Sequence, residues 1–153
     1  MSQPLFDVMQ QVGDRIIHAP HRLLCVSYDG TLTHFAATPE GAALSPQVDR
    51  ILQSLAGHEG LTLAIFSGRD RNDLHSRVNL AGVIYVGNHG LEISGPGFRF
   101  VEPGALEACR NVKDLGLRLA QVLRHIGGVF VEDKDLTLSI HDRRVAAVDG
   151  EEV

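Results

Sequence analysis

Leu23-Leu24-Cys25-Val26-Ser27-Tyr28-Asp29-Gly30-Thr31-Leu32-Thr33 is the stretch that decides the fold. Its first four residues are apolar without a break, and the run stops at a polar turn containing glycine. Such a run reads as a strand buried on both faces, at the centre of a parallel sheet. The pattern returns twice. Leu61, Leu63, Ala64, Ile65 and Phe66 lead into Ser67-Gly68-Arg69, and Val83-Ile84-Tyr85-Val86 leads into Gly87-Asn88-His89-Gly90. Helical segments lie between the runs. Ser45 is placed to cap a helix with Pro46 at its first position, and Val48, Ile51, Leu52 and Leu55 share one face up to about Ala56. A shorter helix is expected over roughly 70–78. Strand, helix, strand, helix, strand makes an α/β domain with right-handed crossovers. The expectation is a parallel sheet in the order 1-2-3, with Leu24, Val26, Leu63, Ile65, Ile84 and Val86 in its core.

Outward from this unit, residues 4–17 carry Leu5, Val8, Met9, Val12, Ile16 and Ile17 at three- and four-residue steps, the spacing of an amphipathic helix. After the third strand, residues 91–94 and 98–101 form a hairpin around Gly95-Pro96-Gly97. Residues 105–126 make the longest helix, although Gly116 inside it costs about 1 kcal/mol relative to alanine. Residues 129–132 and 136–141 make a second hairpin. The organisation is therefore an N-terminal helix (1–20), an α/β core (21–103) and a helix–hairpin unit (104–153).

Composition narrows the function. The 153 residues are 44% hydrophobic and 22% charged, enough to fill a core, with a net charge of −5. No Lys/Arg block marks a nucleic-acid surface, and no apolar run approaches the ~20 residues of a membrane span. No signal-peptide pattern opens the chain, so a cytoplasmic location is expected. Cys25 and Cys109 lack metal spacing and read as buried free thiols.

In open parallel sheets, ligands collect beyond the carboxyl ends of the strands. Three loops lie there, Ser27–Thr31, Ser67–Arg69 and Gly87–Gly90. They form either a site or three ordinary glycine turns. The first loop resembles the first motif of haloacid dehalogenase (HAD) phosphatases, an apolar strand followed by Asp-x-Asp-Gly-Thr. Ser67-Gly68-Arg69 is similar to the second motif, and Gly87-Asn88-His89-Gly90-Leu91-Glu92 to the third loop of the trehalose-6-phosphate phosphatase family. Val131-Glu132-Asp133-Lys134, Leu138-Ser139 and His141-Asp142-Arg143 are similar to that family's cap hairpin. The resemblance runs in order through residues 22–144.

That resemblance implies a partial Rossmannoid HAD core followed by the first helix and hairpin of an α+β cap. It implies removal of phosphate from trehalose 6-phosphate through an aspartyl-phosphate, with Mg2+ as cofactor. Asp29 would be the acid/base, and also a metal ligand. Gly30, Thr31, Ser67, Gly68 and Arg69 would bind phosphate. Asn88, His89, Glu132 and Lys134 would meet the sugar. Blander readings stand beside these: Ser67 as a helix cap, His89 as a turn residue, Glu132 and Lys134 as a solvated pair.

Two departures follow. Ser27 stands at the position of the nucleophilic aspartate; a neutral hydroxyl is a poor nucleophile and a poor magnesium ligand. The family's later lysine and acidic loops have no counterpart in these residues, and only three of five core strands, in the order 5-4-1-2-3, are expected. Weak magnesium binding and little activity follow. The bare edge of strand 1 should be covered by a homodimer contact, a complementing C-terminal half or the 4–17 helix. The expected partner is a small sugar phosphate, with no nucleic acid and no membrane. The competing functions are an impaired phosphatase, a non-catalytic or regulatory sugar-phosphate binder, and one half of a split protein.

Overall fold

A computed structural model describes residues 4–36 and 38–145. Five strands form one sheet, β1 (Arg22–Ser27), β2 (Leu61–Phe66), β3 (Ile84–Gly87), β4 (Glu92–Gly95) and β5 (Phe98–Val101), in that spatial order. β1, β2 and β3 are parallel, with Leu24 beside Leu63, Val26 beside Ile65, and Ile65 beside Tyr85. The helices α1 (Met9–His18), α2 (Pro46–Ala56), α3 (Arg71–Val78) and α4 (Pro103–Val122) fall where the periodicity places them. A second hairpin pairs β6 (Phe130–Asp133) with β7 (Leu138–His141), and α4 packs on it. Gly116 of α4 has a packing reason. A Cβ there would sit 2.9 Å from a Leu138 methyl, so the helix and the hairpin meet closely at that point.

The hairpin of residues 91–101 is not separate from the core. β4 pairs antiparallel with β3, and β5 with β4, so the sheet has five strands rather than three. The turn that reverses the chain is tight, with positive φ at Asn88, His89 and Gly90 (46°, 57° and 100°).

The core lies between one sheet face and α2 and α3, around Tyr28, Leu52, Leu63, Ile65, Leu74 and Tyr85. Tyr28 closes it with a hydroxyl donating to the Ala42 carbonyl at 3.0 Å. Burial raises the pKa of this phenol, against the opposing pull of Arg77 and Arg69.

β1 lies at the edge of the sheet among the described residues, as the order 1-2-3 expects, but its burial departs from expectation. Leu23 is 62% exposed and Leu24 36%, while Val26 and Ile84 are only half-buried; Leu63, Ile65 and Val86 are buried as expected. The reason lies in how the sheet is covered. Period-two alternation sends Leu23, Cys25 and Phe66 to the face opposite α2 and α3, where all three stay exposed. Cys25 is accordingly exposed and Cys109 half-buried, so neither thiol is enclosed. α1 does not close the gap: it buries none of its own residues, and Ile17 is 71% exposed.

Candidate active site

The three loops at the carboxyl ends of β1, β2 and β3 are stitched together by their backbones. Tyr28 N–H donates to the Phe66 carbonyl, Ser67 N–H to Val86, Asn88 N–H to Arg69 and His89 N–H to Ser67, at 2.7–3.2 Å. The parallel register brings these loops to one edge, so residues some 40 and 60 positions apart in the chain share one place.

Asp29 lies at the centre. Arg69 grips it with two bonds, Nη2 to Oδ1 at 2.8 Å and Nε to Oδ2 at 3.0 Å. The Ser67 hydroxyl donates to the same Oδ2 at 3.3 Å. Arg69 spends its remaining reach on Asp73 (3.0 Å) and the Pro39 carbonyl (2.8 Å), and its guanidinium lies over the Tyr28 ring. Burial favours a neutral Arg69, but the bonds to Asp29 and Asp73 outweigh it and hold the group charged. Burial likewise pushes the Asp73 carboxyl up. Hydrogen bonds from Arg77 and Arg69 prevail and hold its pKa below the ordinary carboxylate value.

The hairpin of β6 and β7 faces these loops across a cavity of about 530 Å³. Lys134, buried, donates from Nζ to the Gly68 carbonyl at 2.9 Å. Glu132 pairs with His141 at 2.8 Å, and the His141 ring stacks on Phe130. Arg143 donates to the Ala36 carbonyl at 3.1 Å and sits over the Phe35 ring. Phe35 itself packs onto Gly30: a Cβ at that glycine, whose φ is +79°, would meet the ring at 2.6 Å.

Asp29, Gly68, Arg69, Glu132 and Lys134 all line this cavity, which brings together the first, second and hairpin stretches of the sequence. Ser27 and Thr31 are exposed at the strand end and do not line it. Neither hydroxyl has a hydrogen-bond partner among the described residues. Ser67 reaches the site through Asp29, and its Oγ accepts from Arg69 N–H at 3.0 Å; the helix cap of α3 is Asp70, not Ser67. His89 is exposed, its ring lying over Gly68, where a Cβ would come within 2.6 Å.

Asn88 is placed differently. Its side chain is fully buried and spans core and hairpin. Nδ2 donates to Glu92 Oε1 at 2.7 Å and to the Lys134 carbonyl at 3.1 Å, while Oδ1 accepts from Thr137 Oγ1 at 2.6 Å.

Phe35, Phe130, His141 and Arg143 also line the cavity and were not among the expected site residues. Two of the four could have been found. Phe130 and Glu132 alternate onto one face of β6, and His141 is the cross-strand partner of Phe130.

The donor set of this chain does not fit magnesium. A hard cation asks for several oxygens, carboxylates among them. Both Asp29 oxygens face Arg69, and the residue two positions before it is an uncharged serine. Among the described residues, no group of three or more His, Cys, Asp or Glu is arranged to hold an ion.

The trehalose-phosphatase family model matches residues 25–152. The chain belongs to the trehalose-phosphatase family. It is 35% identical over 149 residues to the trehalose-phosphate phosphatase of Mycobacterium bovis (strain BCG / Pasteur 1173P2), covering 95% of this chain and 37% of that protein. The solved C-terminal domain of Candida albicans trehalose-6-phosphate phosphatase superposes with a TM-score of 0.75 at 25% identity, over 94% of this chain and 50% of that one. A trehalose-6-phosphate phosphatase related protein shares the fold, with a TM-score of 0.73 at 16% identity, over 85% and 56%. The chain thus spans well under half the length of its curated trehalose-phosphatase relative and about half of the solved domains. Among the described residues no helix is long and apolar enough to cross a membrane.

Proposed function

We propose that this trehalose-phosphatase family member binds trehalose 6-phosphate in the cavity between its three strand-end loops and the β6–β7 hairpin, and turns it over poorly or not at all. One observation carries the reading. The cavity pairs cationic and aromatic walls with Asp29, two residues beyond Ser27, the residue that matches the family's nucleophile position by resemblance. A phosphorylated sugar needs both parts, cations and hydroxyls for the phosphate and a mixed apolar and polar wall for the rings. Lys134, Arg143 and Arg144 supply the charge, and Phe35, Phe130 and the Glu132–His141 pair supply the wall.

The chemistry stops short at two atoms. Among the described residues no base is hydrogen-bonded to the Ser27 hydroxyl, so nothing there activates it as a nucleophile. Both Asp29 oxygens are engaged by Arg69, so neither is turned toward a leaving oxygen in the cavity. Magnesium would supply charge neutralisation in the intact family chemistry, but these residues are not arranged to hold it. What remains is recognition: orientation of the sugar by the hairpin and placement of the phosphate by the loops.

Titration calorimetry with trehalose 6-phosphate, trehalose and glucose 6-phosphate tests this. Saturable binding of trehalose 6-phosphate, at least about tenfold tighter than trehalose, supports it. Equal affinity for all three, or no binding, contradicts it.

A second reading is favoured by the uncovered sheet face of Leu23, Cys25 and Phe66. In that reading the chain is one part of an assembly, completed by another polypeptide or a second copy that pairs with β1. A discrete stoichiometric complex on native purification favours it, and a stable monomer contradicts it.

A further inference from the structure

We infer that the phosphate end of this site works without a divalent cation, with Arg69 doing for Asp29 what a metal would otherwise do. The inference rests on the sugar-phosphate reading above and goes beyond it, because it concerns how charge is balanced rather than which ligand enters. A dianionic phosphate cannot approach uncompensated carboxylates, so a site with two of them needs an added cation. This chain has removed both charges by other means. Ser27 carries none. Asp29 is matched by Arg69 through two bonds of 2.8 and 3.0 Å, and Arg69 is fixed in place by Asp73 and the Pro39 carbonyl.

The cations left over point the same way. Arg69, Lys134, Arg143 and Arg144 line the cavity against Asp29, Glu40 and Glu132. With Asp29 matched by Arg69 and Glu132 bonded to His141, Lys134 and Arg143 are held by carbonyl oxygens, of Gly68 and Ala36, not by carboxylates. Their charge is available to an anion.

The test is calorimetric titration of trehalose 6-phosphate into the chain, once with excess EDTA and once with excess magnesium chloride. For the parent, the two dissociation constants are expected to agree within about twofold. Ser27→Asn adds bulk without charge; whatever its affinity, its two constants should also agree. Ser27→Asp restores a carboxylate, and its binding in EDTA should be weaker than in magnesium by about tenfold or more. Circular dichroism confirms that each variant is folded; if Ser27→Asp is not, the parent comparison decides alone. A parent that binds only with magnesium overturns the inference and leaves the ligand reading standing. No binding in either buffer overturns the ligand reading itself. Metal dependence in Ser27→Asn equal to that in Ser27→Asp overturns the assignment of the effect to charge.

Discussion

Arg69 holds more of the site than any other single residue. It is nearly buried and closes two ion pairs, and its removal leaves Asp29 without its main partner and Asp73 with Arg77 alone. Breaking a buried pair costs about 3–5 kcal/mol. The Asp29 and Asp73 carboxyls are each about a third exposed, and solvent screening lowers the figure. Arg69→Met is therefore expected to lose about 2 kcal/mol of stability, read as a shift in the urea midpoint. Asp73 adds a pH dependence. Its folded pKa is lowered, so the unfolded chain binds the proton more tightly and stability rises with pH. That contribution is fully present above the unfolded value near ~3.9 and is lost as pH falls through the folded value. Denaturation curves should show this acid loss in the parent, and a shallower one in Asp73→Asn. At this scale the sequence was informative about which residues gather and less so about what each does. Asp29, Gly68 and Arg69 meet because neighbouring strand ends in a parallel sheet meet, and Glu132 and Lys134 reach them from the β6–β7 hairpin. The burial of Asn88 depends on the 46° φ of its turn, which no residue pattern displays.

The elements were legible where periodicity was long. The positions of α2, α3, α4 and both hairpins follow from apolar spacing and caps. The joining of β4 to β3 did not follow, because a hairpin reads the same alone or added to a sheet. The site depends on that joining, since Glu92 of β4 receives Asn88 and also the Arg71 N–H at the start of α3. Asn88 then carries the connection onward to Lys134 and Thr137. Asn88→Ala should detach the hairpin from the core at a cost of about 1–3 kcal/mol, the desolvation of partners left unpaired. Hydrogen exchange is the measurement: amides of residues 134–137 should lose protection more than those of β2. Equal loss in both would mean that Asn88 supports the whole fold rather than this junction.

For the whole molecule, the apolar run of β1 promised burial on two faces, and the described residues cover one. The run specifies what the strand tolerates, not what is present to cover it. An apolar edge strand without charged guards tends to pair with other chains. Sedimentation of the chain should show concentration-dependent association, and Leu23→Lys should weaken it. A parent that stays monomeric over the same range would mean that the edge is protected in another way.

The central claim is that this trehalose-phosphatase family member keeps the cavity and has lost the nucleophile at Ser27. The most direct measurement is release of phosphate from trehalose 6-phosphate by the purified chain, with magnesium present. Removing a catalytic nucleophile costs about 10⁶ in kcat in a well-studied serine protease. Release indistinguishable from a no-protein control is expected. Magnesium-stimulated release that scales with the concentration of the chain would contradict it.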